Sequence, residues 1–458
     1  MTRIRFAALG LALALLAPCA AGAALQLPPY TKTTLKNGLT VFVMPSRKLP
    51  LVDFRLVVRA GSVNDPAGKE GLASLVSDLL TQGAGARNAR QIAEDIAFVG
   101  GDLGAFSGGE QTTVTCEVLK KDFDTGLELF RDVIVHPTFP AEEFARKKDE
   151  ALGGIAASKD DPGTVASNEL GFYLWGKSPL AHPAIGVEKS VAALTRDDVA
   201  AFHREEFTPD NAMLAVVGDV EPKAVLAALE KAFAEWQPSG APHPPAYAPG
   251  EQVKGRQVLI VSKPEVTQTQ IRLACMGVAR NHPDYFPIRV ANTILGAGFT
   301  SRLVNEIRVN QGLTYSISSR FGMFRNAGSF SVNTFTKNET LRKTIDETLK
   351  TMDQLITEGP TGEELEKAHR YLTGQFPIGL QTSDELAAQL LDIEFYGLDP
   401  KFVENFSDHV NGVTMADCRR ALKSYFCTSD LKILVVSNPD VAKKQLEGLG
   451  PIAVKPID

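Results

Sequence analysis

Histidine and cysteine, the residue types on which most catalytic metal sites and redox motifs depend, are scarce in this 458-residue chain. The seven histidines are His136, His182, His203, His243, His282, His369 and His409, and even the nearest two, His182 and His203, stand 21 residues apart. No H-x-H or H-x-x-x-H pair exists, so two histidines cannot meet on one turn of helix to clamp a metal ion. Five cysteines form no C-x-x-C, which excludes a redox dithiol and a zinc knuckle. A large charge excess is missing too: 48 basic against 54 acidic residues give −6, which is not the footprint of a nucleic-acid binder. Beyond the first two dozen residues no apolar run is long enough to span a bilayer, and no membrane anchor is expected.

What is present is an ordinary globular composition, 44% apolar and 22% charged, with material for more than one core. The first residues are distinctive. Arg3 and Arg5 precede an unbroken apolar stretch from Phe6 to Ala17, and Ala21-Gly22-Ala23 follows. That order is a secretory signal peptide, cleaved after about Ala23. A mitochondrial presequence would be amphipathic, whereas Phe6 to Ala17 is apolar on every face. Export without an anchor predicts a periplasmic protein. The mature chain keeps Cys116, Cys275, Cys418 and Cys427, which read as scattered buried hydrophobes, although Cys418 and Cys427 could pair.

The chain reads as two copies of one plan. Gln237 to Gly250 carries five prolines without helical or strand periodicity and marks a linker. On either side, segments match at a shift of about 219 residues. Leu194-Thr195, Phe207-Thr208 and Leu214 to Val217 correspond to Val413-Thr414, Phe426-Cys427 and Ile433 to Val436, and Phe54-Arg55-Leu56 corresponds to Ile271-Arg272-Leu273. The predicted organisation is a signal peptide over 1–23, one domain over 24–236, a Pro-rich linker over 237–253 and a second domain over 254–458. Strands at Leu39–Met44, Leu51–Arg59, Thr112–Leu119 and Ala212–Val217 come in hairpin-like groups with helices around Leu72–Leu80, Phe123–Ile134 and from Pro222. This predicts an α+β fold of two homologous halves, each a mostly antiparallel sheet packed with helices.

Two passages carry the functional signal. The first is Gly71-Leu-Ala-Ser74-Leu-Val-Ser77-Asp78, with Glu143 to Gly154 on a later helix. Its frame resembles the zinc-binding helix of the insulinase or pitrilysin family of metallopeptidases, which carries H-x-x-E-H and a third ligand glutamate. Here Ser74, Ser77, Asp78 and Gly154 occupy those four positions. All four catalytic positions, two histidine ligands, the general-base glutamate and the third ligand, are lost, and Ser74 and Asp78 are expected on an exposed or interface-facing stripe. The second passage, Leu295-Gly296-Ala-Gly298 through Ser301-Arg302-Leu303 to Arg308, Gly312 and Tyr315, closely resembles the motif of that family's second half.

The resemblance implies that Arg308 and Tyr315 reach a partner's zinc site and hold the substrate carbonyl. In this reading Arg308 ends a helix beginning near Asp284, and Gly312 turns the chain into a strand carrying Tyr315. Gly296 and Gly298 lack the Walker frame and serve a tight turn, with peptide contact left open. The resemblance further implies a half-clamshell that faces a second, homologous H-x-x-E-H subunit around peptide substrates. This chain would then hold no cofactor of its own, zinc would belong to the partner, and metalloendopeptidase activity would exist only in the heterodimer. The alternative is a catalytically inert peptide-binding or structural and assembly subunit.

Overall fold

A computed structural model describes residues 26–240, 247–248 and 250–457 of the chain. The predicted signal peptide and residues 241–246 and 249 of the linker lie outside them. Chain order runs β1 (Thr31–Thr34), β2 (Thr40–Pro45), β3 (Leu51–Val58), a two-rung hairpin of β4 (Gly83–Ala84) and β5 (Arg87–Asn88), β6 (Asp102–Ser107), β7 (Thr112–Leu119) and β8 (Ala212–Gly218). The second half follows with β9 (Gln257–Ser262), β10 (Gln268–Met276), β11 (Ile317–Met323), β12 (Gly328–Lys337), β13 (Lys432–Ser437) and β14 (Ile452–Pro456).

The two six-stranded sheets have the orders β1-β2-β8-β3-β7-β6 and β11-β12-β10-β13-β9-β14. Apart from the outer strands β1 and β14, the second is the first repeated. Even the rungs coincide: Phe54 pairs with Val216, and Ile271, which the repeat aligns with Phe54, pairs with Val435. Both sheets are mostly antiparallel, with β2 parallel to β8 in the first and β9 parallel to both β13 and β14 in the second.

Alternation along β3 explains how each sheet is covered. Val52, Phe54, Leu56 and Val58 point into the first half's own core, where they meet Leu72, Leu75 and Phe130. Val57 points to the other face, together with Met213, Ala215 and Val217 of β8, and joins the core of the second half. The cover on that face is the helix Ser383–Tyr396, whose Leu386, Leu390 and Leu391 are buried there. Reciprocally, the helix Pro162–Trp175 leaves its own half and lies on β10 and β13, with Val165 and Ala166 packed against Leu259, Leu434 and Val436. Each such leucine contributes roughly 1.5–3 kcal/mol of burial. The halves are therefore one packed body although their sheets are separate.

Polar groups mark the same exchange. Arg55 of β3 pairs with Asp384 in the first turn of the helix that covers it. Arg272, its repeat counterpart on β10, donates to the carbonyl of Gly163 at 3.0 Å in the first turn of the other exchanged helix. Burial lowers the Arg272 guanidinium to about 10. Beside Arg55, Asp53 faces Glu117 across β3 and β7. Burial, then the charge of Glu117, pushes the Asp53 carboxyl up to about 7.

The linker is more than a tether. Tyr247 is buried, and its hydroxyl donates to the carboxylate of Glu110 in the β6–β7 turn. Glu110 also accepts from the backbone N–H of Arg325 in the β11–β12 turn at 3.0 Å. The disulfide joins Cys275, at the end of β10, to Cys427. Cys418 is buried and free, so the Cys418–Cys427 pairing that the sequence left open does not form. Most of the helix Met415–Tyr425 separates those two residues at about 1.5 Å per residue, too far for a bridge.

Candidate functional site

The frame of the first passage is built with care even though its ligands are gone. Asp65 caps the helix Leu72–Leu79: its carboxylate accepts from the backbone N–H of Gly71 at 2.7 Å and of Ala73 at 2.8 Å. Burial pushes this carboxyl up to about 7 against the pull of those donors. Gly71 sits at φ +99°, and a Cβ there would lie 2.5 Å from the carbonyl oxygen of Ile185. The loop around Ile185 and Gly186 thus buttresses the start of the helix.

Ser77 is buried, and its hydroxyl donates to the carbonyl of Ser74 at 2.8 Å. Its short side chain satisfies itself within the helix. Asp78 is exposed beside Lys147 and Glu150 of the helix Ala141–Ser158. Desolvation raises its carboxyl, Lys147 opposes this, and Glu150 adds to it. Gly154, on the same helix, is exposed, and only Ile185 Cδ1, at 3.5 Å, would meet a Cβ there. Packing does not demand glycine at this position.

Two neutral hydroxyls, one carboxylate and a glycine do not fit a zinc ion, which takes imidazole, thiolate or carboxylate ligands. Among the described residues no group of three His, Cys, Asp or Glu is placed to hold a metal ion. Two of the histidines are engaged away from this frame. His203 bonds the carbonyl of Ile134 at 2.9 Å and is lowered to about 4 by burial, and His136 pairs with Glu235 at 2.8 Å.

In the second passage the expected single helix from Asp284 to Arg308 is broken. A regular stretch, Tyr285–Asn292, widens into a π-type turn over Thr293–Ala297, and a second wide segment spans Val304–Asn310. Such widened turns recur at functional sites. Gly296 is buried, and a Cβ there would come within 2.5 Å of Ser319 Oγ on β11. Its lack of a side chain serves this close packing. Gly298 is buried at the turn, its N–H donating to the carbonyl of Thr293 at 3.3 Å. Arg302 ties the loop down through a bidentate pair with Glu364 at 2.7 and 2.9 Å.

Arg308 and Tyr315 do come together. The guanidinium lies 4.9 Å from the Tyr315 ring centroid and 5.3 Å from that of Phe299. Both rings are open to solvent, Tyr315 at 76% and Phe299 at 74% exposure. Tyr315 is not on a strand as expected but in the loop two residues before β11. There the Gly312 reversal at φ +59° and hydrogen bonds from Thr336 to the Leu313 carbonyl and from Thr334 to the Ser316 carbonyl hold its flanks. Phe299 escaped the sequence reading; an aromatic inside a glycine-bearing loop, nine residues before the arginine, was the available signal. No hydrogen bond or ion pair among the described residues links Ser74, Ser77 or Asp78 to Arg308 or Tyr315.

Family models match in the same two blocks, Insulinase (Peptidase family M16) over residues 41–187 and Peptidase M16 inactive domain over residues 193–372. The chain belongs to the insulinase family of peptidases. It is similar to an uncharacterized zinc protease of Mycobacterium leprae, 29% identical over 78% of this chain and 81% of that one. A crystal structure described as a peptidase M16 inactive domain from Pseudomonas fluorescens superposes with TM-score 0.82 at 29% identity, covering 89% of this chain and 98% of the other. A protease from Helicobacter pylori shares the fold, with TM-score 0.83 at 21% identity over 90% and 100% of the two chains. In this insulinase-family chain the peptidase block carries the degenerate frame, and the inactive-domain block carries Arg308 and Tyr315.

Proposed function

We propose that this protein is the non-zinc-binding subunit of a heterodimeric peptidase and that it supplies Arg308 and Tyr315 to the substrate carbonyl at a site completed by a homologous H-x-x-E-H subunit. The observation that carries this reading is the solvent-open stack of Arg308 between Tyr315 and Phe299 in a chain whose own frame cannot take zinc. Guanidinium and phenol groups donate hydrogen bonds to an oxygen on which negative charge develops, and a pre-positioned donor of this kind stabilises the transition state by roughly 3–4 kcal/mol. Zinc bound by the partner would supply the activated water; this chain binds and orients the peptide. Alone, it is inactive.

The site of action is the periplasm, reached by the N-terminal signal. The Cys275–Cys427 disulfide supports an oxidising compartment. A purely structural subunit would have no use for an exposed arginine and tyrosine held together.

The test is to isolate the tagged mature protein from its native host and to assay zinc and peptide cleavage on whatever co-purifies at one-to-one ratio and on this chain alone. Zinc and cleavage confined to the pair, with cleavage lost and pairing kept in Arg308→Ala and Tyr315→Phe, is the expected result. A chain that recruits no H-x-x-E-H subunit overturns it.

A further inference from the structure

The loop that brings Phe299 to Arg308 also forms one wall of a hollow of about 180 Å³, whose other wall is the helix Gly362–Gln375. A site for a whole small molecule spans about 300–1,000 Å³; this one has room for a single large side chain. Ile294 and Ala368 are buried on its lining, whereas Phe299 and Tyr371 stand out into solvent there, at 74% and 43% exposure. Exposed rings gathered on an apolar hollow mark a contact surface. Phe299 belongs to both features, since its ring centroid also lies 5.3 Å from the Arg308 guanidinium. The hollow is therefore continuous with the place where the carbonyl of a bound peptide would be held.

The polar groups of the lining narrow what can enter. Glu364 is held by Arg302 at 2.7 and 2.9 Å, and Lys367 stands beside it, so a basic side chain meets no free counter-charge. A carboxylate would lose its water against the apolar walls. The hydroxyl of Thr293 donates to the carbonyl of Arg289 at 2.9 Å. Ser301 differs: it is 3% exposed, and its hydroxyl has no hydrogen-bond partner. Buried hydroxyls are seldom left unpaired. A hydrocarbon occupant would leave this one so, whereas an occupant with a hydroxyl of its own completes it.

Resting on the reading of Arg308 and Tyr315 as peptide-binding groups, we propose that this hollow takes a tyrosine side chain of the bound peptide, with its ring between Phe299 and Tyr371 and its phenol at Ser301. Ring-on-ring packing rewards an aromatic occupant beyond the area it buries. A pocket that pairs with a hydroxyl rejects the analogue that lacks it. Ser301 is then the specificity-determining residue of this chain.

Titration of the isolated mature chain with N-acetyl-tyrosinamide, followed by saturation-transfer NMR, tests the proposal without a partner subunit, so its outcome is separate from that of the co-purification. Binding in about the millimolar range is expected of so small a probe. It should be about fivefold or more tighter than that of N-acetyl-phenylalaninamide or N-acetyl-leucinamide. Ser301→Ala gives up a hydroxyl without an internal bond and should fold as the wild type does, which circular dichroism checks. In that variant the tyrosine probe should fall to the affinity of the phenylalanine probe. Tyr371→Ala, which removes one ring, should weaken both aromatic probes about threefold or more. Absence of binding, equal affinity for the tyrosine and phenylalanine probes, or a tyrosine preference that survives Ser301→Ala each overturns the proposal. Tyrosine-selective binding by a chain that recruits no H-x-x-E-H subunit upholds the hollow and overturns the heterodimer alone.

Discussion

Arg272 on β10 donates to the carbonyl of Gly163, at the start of a helix that chain order gives to the other half. Arg55, in the same place in the first repeat, pairs instead with the half-exposed carboxylate of Asp384. The two contacts occupy equivalent positions, yet they differ in burial, and their energetic weights should differ accordingly.

Removal of the buried contact, Arg272→Ala, should cost about 2–4 kcal/mol, because a cavity and unsatisfied carbonyls remain. Arg55→Ala, acting on a pair that water can replace, should cost about 1 kcal/mol or less. Urea unfolding of the two variants measures the difference, and equal losses would contradict the asymmetry.

Asp53 holds its proton more tightly in the folded protein, at about 7, than in the unfolded chain, where an aspartate titrates near 3.8. Its contribution to stability is therefore fullest at low pH and is lost as pH rises through about 7. Asp53→Asn keeps the shape and removes the titration. The variant should gain on the wild type by on the order of 2 kcal/mol between pH 5 and 8. A stability difference that stays flat over that range would sink the assignment.

Gly154 and Gly186 make a pair of opposite expectations. Gly154→Ala lies in a helix with only Ile185 Cδ1 nearby and should stabilise by about 0.5–1 kcal/mol. At Gly186, with φ +86°, a Cβ would come 2.2 Å from the carbonyl oxygen of Glu70, so Gly186→Ala should cost about 2 kcal/mol or more. Denaturant midpoints of both variants check the signs.

Phe299→Ala removes one of the two rings that hold Arg308. An exposed cation–π contact contributes about 0.5–1 kcal/mol, so peptide cleavage by the reconstituted pair should fall about two- to fivefold, with Phe299→Tyr restoring it. Cleavage unaltered by Phe299→Ala would mean that Tyr315 alone positions the guanidinium.

Much of the architecture was legible from local pattern. The strand Thr112–Leu119 follows from its β-branched alternation, and the helix from Pro222 from its N-terminal proline. The repeat of Phe54-Arg55-Leu56 in Ile271-Arg272-Leu273 anticipates the shared rungs of the two sheets. What escaped were contacts between distant segments: Phe299 against Arg308, and Cys275 rather than Cys418 as the partner of Cys427. The wide turns at Thr293–Ala297 and Val304–Asn310 escaped as well, because the pattern there still reads as an ordinary amphipathic helix.

The sequence by itself determined which residues remain for chemistry. Ser74, Ser77, Asp78 and Gly154 offer two hydroxyls, one carboxylate and no imidazole, and this is a matter of residue type that no folding can reverse. Only the tertiary structure decided where each half buries its second face. Periodicity shows that Val57 or Leu390 must leave water, since burial of apolar area is non-directional. It does not name the surface that receives them. That choice was made by complementary packing of the exchanged helices Pro162–Trp175 and Ser383–Tyr396, which joins two separately written repeats into one body.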